Sequence, residues 1–288
     1  MSVLADAQDT RFSSSRAQQR GRRWYAFLSS ALPLAVLLAL WEAVSTAGLV
    51  DTRLLPPPHE VLRELAMGRS AQALRLGYAQ TNAAWYIVAC ILGSLGRVVV
   101  GIAIGFVVGF SLGLLLAVSA RGRRMLYPVV RTLAPISPVA WIPVAMMLLG
   151  IGNGPAVLVV TLSVVFLITV ATVASVQSID PALYNAARTL GARSWKMLGW
   201  VVIPAALPGT FATLRLNAFA AWMSVLVAEM VGVADGLGAM LMVGRALFNM
   251  KLVLGAMMLI GLSGFLLDAG LSVIERRLLW WRDEVRFT

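Results

Sequence analysis

Few side chains in this sequence are placed to do chemistry. Long apolar stretches hold or border Arg97, Arg215, Glu229 and Asp268. A charge at the centre of a membrane helix costs about 2.5–3.5 kcal/mol on insertion scales, so such groups pair with one another, face a wet cavity or meet a charged substrate. Arg215 lies beyond Pro204 in an apolar run. If Pro204 marks the membrane interface, a rise of about 1.5 Å per residue puts Arg215 roughly 16 Å deep. Its candidate partners there are Asp268 and an anionic substrate. Asp268 and Glu229 are also the carboxylates that a self-powered, ion-coupled transporter would need.

A second locus is polar. From Ser178 to Pro208 the chain reads SIDPALYNAARTLGARSWKMLGWVVIPAALP, between two apolar runs long enough to cross a bilayer. Ala186, Ala187 and Ala192 supply helix propensity without bulk, and Gly191 lets the chain turn between two short helices. On the cytoplasmic face such an insert is a place to dock another protein. Several chemistries are excluded. The two lysines, Lys196 and Lys251, follow Trp195 and Met250, so no GxxxxGK[ST] loop exists for binding ATP. HExxH is absent. With one histidine, His59, and one cysteine, Cys90, a histidine cluster, an intrachain disulfide and a multi-cysteine metal site are ruled out. No cofactor or metal is expected in this chain.

These residues need apolar helices to position them. Of 288 residues, 59% are hydrophobic and 13% charged, against about 25% charged in soluble domains. The fold expected is an all-α polytopic membrane protein with about six spans: Phe27–Thr46, Val98–Val118, Leu126–Leu149, Ala156–Val176, Pro204–Val231 and Leu252–Ile274. The net charge of +11 follows this topology and does not indicate nucleic acid. Most Lys and Arg fall in the connections on the side of both termini, which the positive-inside rule makes cytoplasmic.

Along the chain, residues 1–23 read as a polar tail, 24–50 as the first membrane helix, and 51–86 as an outer segment. In that segment Leu54-Leu55-Pro56-Pro57-Pro58 is expected to be extended, and an amphipathic helix is expected from Glu60 to Leu76. A core domain spans 87–276, and 277–288 is a cytoplasmic tail. In the second span Gly101, Gly105, Gly109 and Gly113 share one helix face and let another helix approach closely. In the third, Pro128, Pro135, Pro138 and Pro143 rule out a straight helix. Broken backbone at membrane depth is tolerated when it is buried in protein or lines a wet cavity, and transporters place substrate sites at such breaks. Gly150 to Pro155 reads as a tight outer hairpin.

From Leu54 to Trp281 the chain resembles the permease subunit of type I ABC importers, within the nitrate/taurine/alkanesulfonate/bicarbonate family. The resemblance rests on Ser94-Leu95-Gly96-Arg97, Ile136-Ser137-Pro138 with Ile142-Pro143, and Gly150-Ile151-Gly152. It continues through Ala186-Ala187-Arg188-Thr189-Leu190-Gly191-Ala192, Ile203-Pro204 and Leu214-Arg215. Ala221-Trp222, Ala228-Glu229-Met230, Gly236-Leu237-Gly238 and Leu278 to Trp281 complete it. Asn185 stands where the "EAA" signature often has glutamate, which removes a charged contact but not the helix. The resemblance implies a bacterial inner-membrane homodimer with two cytoplasmic ATPases, which bind ATP and Mg, and an extracytoplasmic substrate-binding protein. It implies docking through Asp180, Tyr184, Asn185, Ala186, Ala187, Arg188, Leu190, Gly191 and Ala192. Candidate path residues are Pro138, Trp141, Arg215, Asn217, Trp222 and Glu229. The implied cargo is a small anion; the alternatives are a neutral or aromatic cargo, or a secondary transporter.

Overall fold

The computed structural model describes residues 32–33, 35–48, 50–67, 83–193 and 195–281. All regular structure among them is helical. The terminal tails 1–23 and 282–288, the start of the first expected span and residues 68–82 of the outer segment lie outside the described residues. The chain divides after Glu64 into two compact units.

The first unit holds α1 (Ala35–Thr46), a turn, and the start of α2 (Pro58–Met67). Ser45 Oγ donates to the Leu55 carbonyl at 2.6 Å, and His59 Nδ1 meets Glu42 Oε1 at 2.6 Å. The extended stretch expected at Leu54–Pro58 is only partly so. The N–H groups of Leu54 and Leu55 both donate to the Asp51 carbonyl, at 2.8 and 3.0 Å, and close a turn. Pro58 opens α2, where a proline loses no helical hydrogen bond. The amphipathic helix thus starts two residues earlier than the spacing predicts.

The second unit begins its membrane bundle with α3 (Ala83–Val118), 36 residues long and so about 54 Å. It exceeds the expected span by more than four turns at its N-terminal end. The polar run Ser94 to Arg97 does not end the helix, because its polar groups are satisfied by other helices. α4 (Ala120–Leu133) follows a one-residue break at Ser119, whose Oγ accepts from the Gly122 N–H at 3.1 Å. The third expected span is broken rather than kinked. A bend of 97° separates α4 from Pro138–Leu149, which consists of a 3-10 turn (Pro138–Trp141) and α5 (Ile142–Leu149). Pro138 and Pro143 each sit in a helix first turn, as their missing N–H requires.

α6 (Asn153–Gln177) lies along α3, and the glycine face is the seam between them. A Cβ at Gly101 would fall 2.6 Å from Val160 Cγ1, at Gly105 2.6 Å from Val164 Cβ, and at Gly113 2.5 Å from Thr172 Cβ. Thr169 Oγ1 reaches across to the Gly109 carbonyl at 3.2 Å. α7 (Pro181–Thr189) is the short helix of the polar insert. A single turn at Trp195–Met197 and a π-helical stretch, Leu198–Val202, then lead into α8 (Ile203–Gly232). α9 (Leu237–Ala246) occupies what the sequence reading leaves as a connection, and α10 (Met250–Leu278) closes the bundle. Trp222, Val225, Leu226 and Leu237 join α3 and α6 side chains in the largest buried cluster. Among the described residues four helices are long and apolar enough to cross a membrane, and the broken pair makes a fifth. The described part of α1, within the first expected span, is too short to count among them.

Candidate functional site

Three polar assemblies distinguish this bundle from inert packing: one on the insert, one at mid-helix and one at the opposite end of α8.

The insert is built by local rules. Asp180 caps α7, its carboxylate accepting from the Ala182 N–H at 2.8 Å, and Pro181 takes the first helical position. The helix ends when Gly191 adopts φ of +82°. Ala192 N–H then returns to the Ala187 carbonyl at 2.9 Å and Gly191 N–H to that of Arg188 at 3.0 Å, a left-handed glycine cap. Ala187 is buried against the bundle and Tyr184 half-buried, while Asn185, Ala186, Arg188, Leu190 and Gly191 are exposed. Leu190 is 88% exposed, and Trp195 and Trp200 are each 83% exposed. Large apolar side chains left exposed on a polar segment are available to a partner. A cavity of about 670 Å³, lined by Tyr184, Arg188, Ala192 and Arg193 with Met197 and Val202, separates α7 from the helix ends.

At mid-helix Arg215 meets Asp268 of α10 through two hydrogen bonds, Nε to Oδ1 at 3.1 Å and Nη2 to Oδ2 at 3.3 Å. Glu275, two turns further along α10, lies 3.5 Å from Nη1. The Arg–Asp partnership expected from sequence is therefore present, and Glu275 joins it. The other path candidates separate. Pro138, Trp141 and Asn217 line a cavity of about 140 Å³ between the broken span, α6 and α8. Asn217 donates to its own helix, to the Thr213 carbonyl at 3.1 Å. Trp222 lies outside this cavity; it is 1% exposed and packs its indole on Gly264 of α10.

Glu229 also lies away from that cavity, 1% exposed, in an assembly that sequence reasoning missed. Arg97 Nη1 donates to Glu229 Oε1 at 2.6 Å, and Ser94 Oγ to Oε2 at 2.9 Å. The Gly238 N–H also donates to Oε2, at 3.0 Å. Arg97 Nη2 pairs with Asp235, Nη1 also reaches the Asp235 carbonyl at 3.2 Å, and Nε donates to Asn153 Oδ1 at 2.8 Å. Ser94 Oγ accepts from the Leu237 N–H at 3.0 Å. One guanidinium thus ties α3, the first residue of α6, the last turn of α8 and the Asp235 loop before α9 together. Gly236 closes the corner with φ of +114°. A Cβ there would stand 2.6 Å from the Glu229 carboxyl and 2.7 Å from Arg97 Nη1. The available signal was two isolated charges, Arg97 and Glu229, in separate apolar stretches, with Ser94 one turn from Arg97 on the same helix face.

Both intramembrane carboxylates named as possible coupling-ion sites are thus engaged by arginines. Among the described residues no group of His, Cys, Asp and Glu could hold a metal ion.

A family model described as the binding-protein-dependent transport system inner membrane component matches residues 101–280. The taurine transport system permease protein TauC of Escherichia coli strain K12 is 29% identical over 253 residues, covering 88% of this chain and 89% of that one. The bicarbonate transport system permease protein CmpB of Synechococcus elongatus is 30% identical over 286 residues, covering 96% and 99%. Among solved structures, an inward facing conformation of the MetNI methionine ABC transporter matches with a TM-score of 0.59 at 23% identity. That match covers 67% of this chain and 96% of that one. A bacterial alginate ABC transporter in complex with a pentasaccharide-bound periplasmic protein matches with a TM-score of 0.52 at 15% identity, over 89% and 98%.

Proposed function

The chain belongs to the binding-protein-dependent transport system inner membrane component family and is a multi-pass membrane permease. From that premise we propose the division of labour within the importer. Two copies of this chain form the path, two cytoplasmic ATPases dock on residues 178–208, and an extracytoplasmic binding protein delivers a small anion of the sulfonate, nitrate or bicarbonate class. The subunit itself is non-catalytic, and ATP and Mg are bound by the partner ATPases. Both termini lie in the cytoplasm, on the same side as α7.

The observation that carries this reading is the surface of the insert. A helix of nine residues, capped at both ends, is followed in the chain by the exposed side chains of Leu190, Trp195 and Trp200. It connects through a π-helical turn to α8, so a push on α7 reaches the bundle by backbone. Asp180, Tyr184, Asn185 and Arg188 supply the polar rim of that contact. The anion class is drawn from the relatives named for taurine and bicarbonate, and Arg215 supplies a positive charge at mid-helix depth.

The test is purification of the tagged full-length chain from its native host, followed by mass measurement of the intact complex. Two permeases with two ATPases are expected. Uptake of taurine, nitrate and bicarbonate by cells lacking the gene then assigns the cargo, and unchanged uptake of all three would reject the anion class. A mass showing a second, different permease would reject the homodimer.

A further inference from the structure

An apolar groove of about 810 Å³ runs between α3 and α10 with α8 as its floor. Phe106, Val107, Phe211, Leu271 and Ile274 are among its walls, and no acidic residue lines it among the described residues. On α3 it extends from Leu95 to Val107 and on α10 from Leu266 to Leu278, about 18 Å along each helix. The hydrocarbon core of a bilayer is about 30 Å thick, so the groove is about one leaflet deep.

The mouth of the groove has a different chemistry. Arg277, Trp280 and Trp281 line it at the C-terminal end of α10. Arg276 is the neighbouring charge, and neither arginine forms an ion pair among the described residues. The two indoles meet edge to face, with centroids 6.2 Å apart, and Trp280 is 81% exposed. Tryptophans at this position mark the level of the lipid headgroups, and basic pockets between membrane helices bind anionic headgroups.

We propose that this groove is a binding site for one anionic phospholipid. An acyl chain lies along Phe106, Phe211 and Leu271, and the phosphate sits on Arg276 and Arg277 beside the two tryptophans. The assignment needs the chain to be a membrane protein but not the docking or cargo proposed above. Charge complementarity singles out the lipid, since a purely apolar partner helix would leave Arg277 at the groove's edge unanswered.

The full-length protein, purified in detergent, is incubated with phosphatidylglycerol or phosphatidylcholine and its retained lipid counted by native mass spectrometry. Phosphatidylglycerol should be retained preferentially. Arg276→Gln with Arg277→Gln should reduce that preference roughly thirtyfold, at about fivefold per arginine. Gly270 lines the groove and has nothing within 4 Å of a built Cβ. Gly270→Phe should therefore fill the groove without disturbing the bundle, lowering retention of both lipids about tenfold and leaving their ratio unchanged. Equal retention of the two lipids by the wild type, or retention indifferent to both variants, would overturn the proposal. A photoreactive residue at Val107, in otherwise wild-type protein, gives an independent reading. Lipid adducts support the site; a cross-link to this chain's own N-terminal segment or to a second copy overturns it.

Discussion

Removing the Arg97 guanidinium while keeping its length, as in Arg97→Met, isolates the Arg97–Glu229 cluster. Glu229 then remains 1% exposed, retaining Ser94 Oγ and the Gly238 N–H as donors but no counter-charge. Breaking a buried pair from one side costs about 3–5 kcal/mol, because the remaining charge is left uncompensated. Asp235 adds little to this, since its side chain is 43% exposed and water can take over the lost contact, as at surface pairs worth about 0–1 kcal/mol. Nearly the whole cost therefore belongs to Glu229. Adding Glu229→Gln should recover about 2 kcal/mol or more, because the amide oxygen still accepts from Gly238 and the stranded charge is gone.

At about 2–4 °C per kcal/mol for a chain of this size class, Arg97→Met should melt roughly 10 °C below wild type. The double variant should regain about half of that. The assay is thermal unfolding of the purified protein in one detergent at one heating rate, on wild type, both single variants and the double. If Arg97→Met melts within about 2 °C of wild type, or the double melts no higher than Arg97→Met, the account of the cluster is refuted.

At the insert, Gly191→Asp puts a charged side chain at a φ of +82°, a left-handed conformation that costs most L-residues about 1–2 kcal/mol and Asp less. It should abolish ATPase co-purification and uptake while membrane insertion stays normal, as checked by membrane fractionation. Gly105→Leu drives its side chain into Val164; overpacking of this kind costs typically about 1–3 kcal/mol or more, and the melting temperature should fall by several degrees. Arg215→Gln leaves Asp268 and Glu275 without their shared cation. It should lower both stability and uptake, with Asp268→Asn in the same chain restoring much of the stability but not the uptake, as read by parallel melting and uptake assays.

The helical class, the glycine seam and the Arg215–Asp268 pair were legible because each depends on local or pairwise rules. A four-residue repeat of glycine on one helix face has one physical use, close approach, and Val160, Val164 and Thr172 fill that space. Lone opposite charges in apolar runs must find each other or a cavity. Boundaries were less legible where polarity misled. Ser94 and Arg97 look like the edge of a span, yet they lie well inside α3, because their partners come from residues 56 to 143 positions away along the chain. α9 was missed for the related reason that its ten residues are too short to register as a span. The bend between α4 and α5 shows the limit of proline counting: four prolines foretell a break, but not its angle.

The two outermost polar assemblies lie at opposite ends of one element. α8 is 30 residues long, about 45 Å. Its first turn continues from the π-helical stretch after the insert, and Glu229 sits in its last turn. A π-helical turn is a common site of adjustment within a helix, and Pro204 and Pro208 remove two backbone donors just beyond it. The N-terminal end of α8 is therefore its compliant end. The C-terminal end is fixed by the four bonds of Arg97 and the three of Glu229. A displacement of α7 by a docked ATPase would thus turn α8 about its C-terminal end, with the largest excursion near the insert and a smaller one at Arg215. That geometry orders the variants above by what they should uncouple. Gly191→Asp severs the input. Arg97→Met loosens the pivot, and should lower uptake per ATP hydrolysed more than it lowers ATPase activity itself.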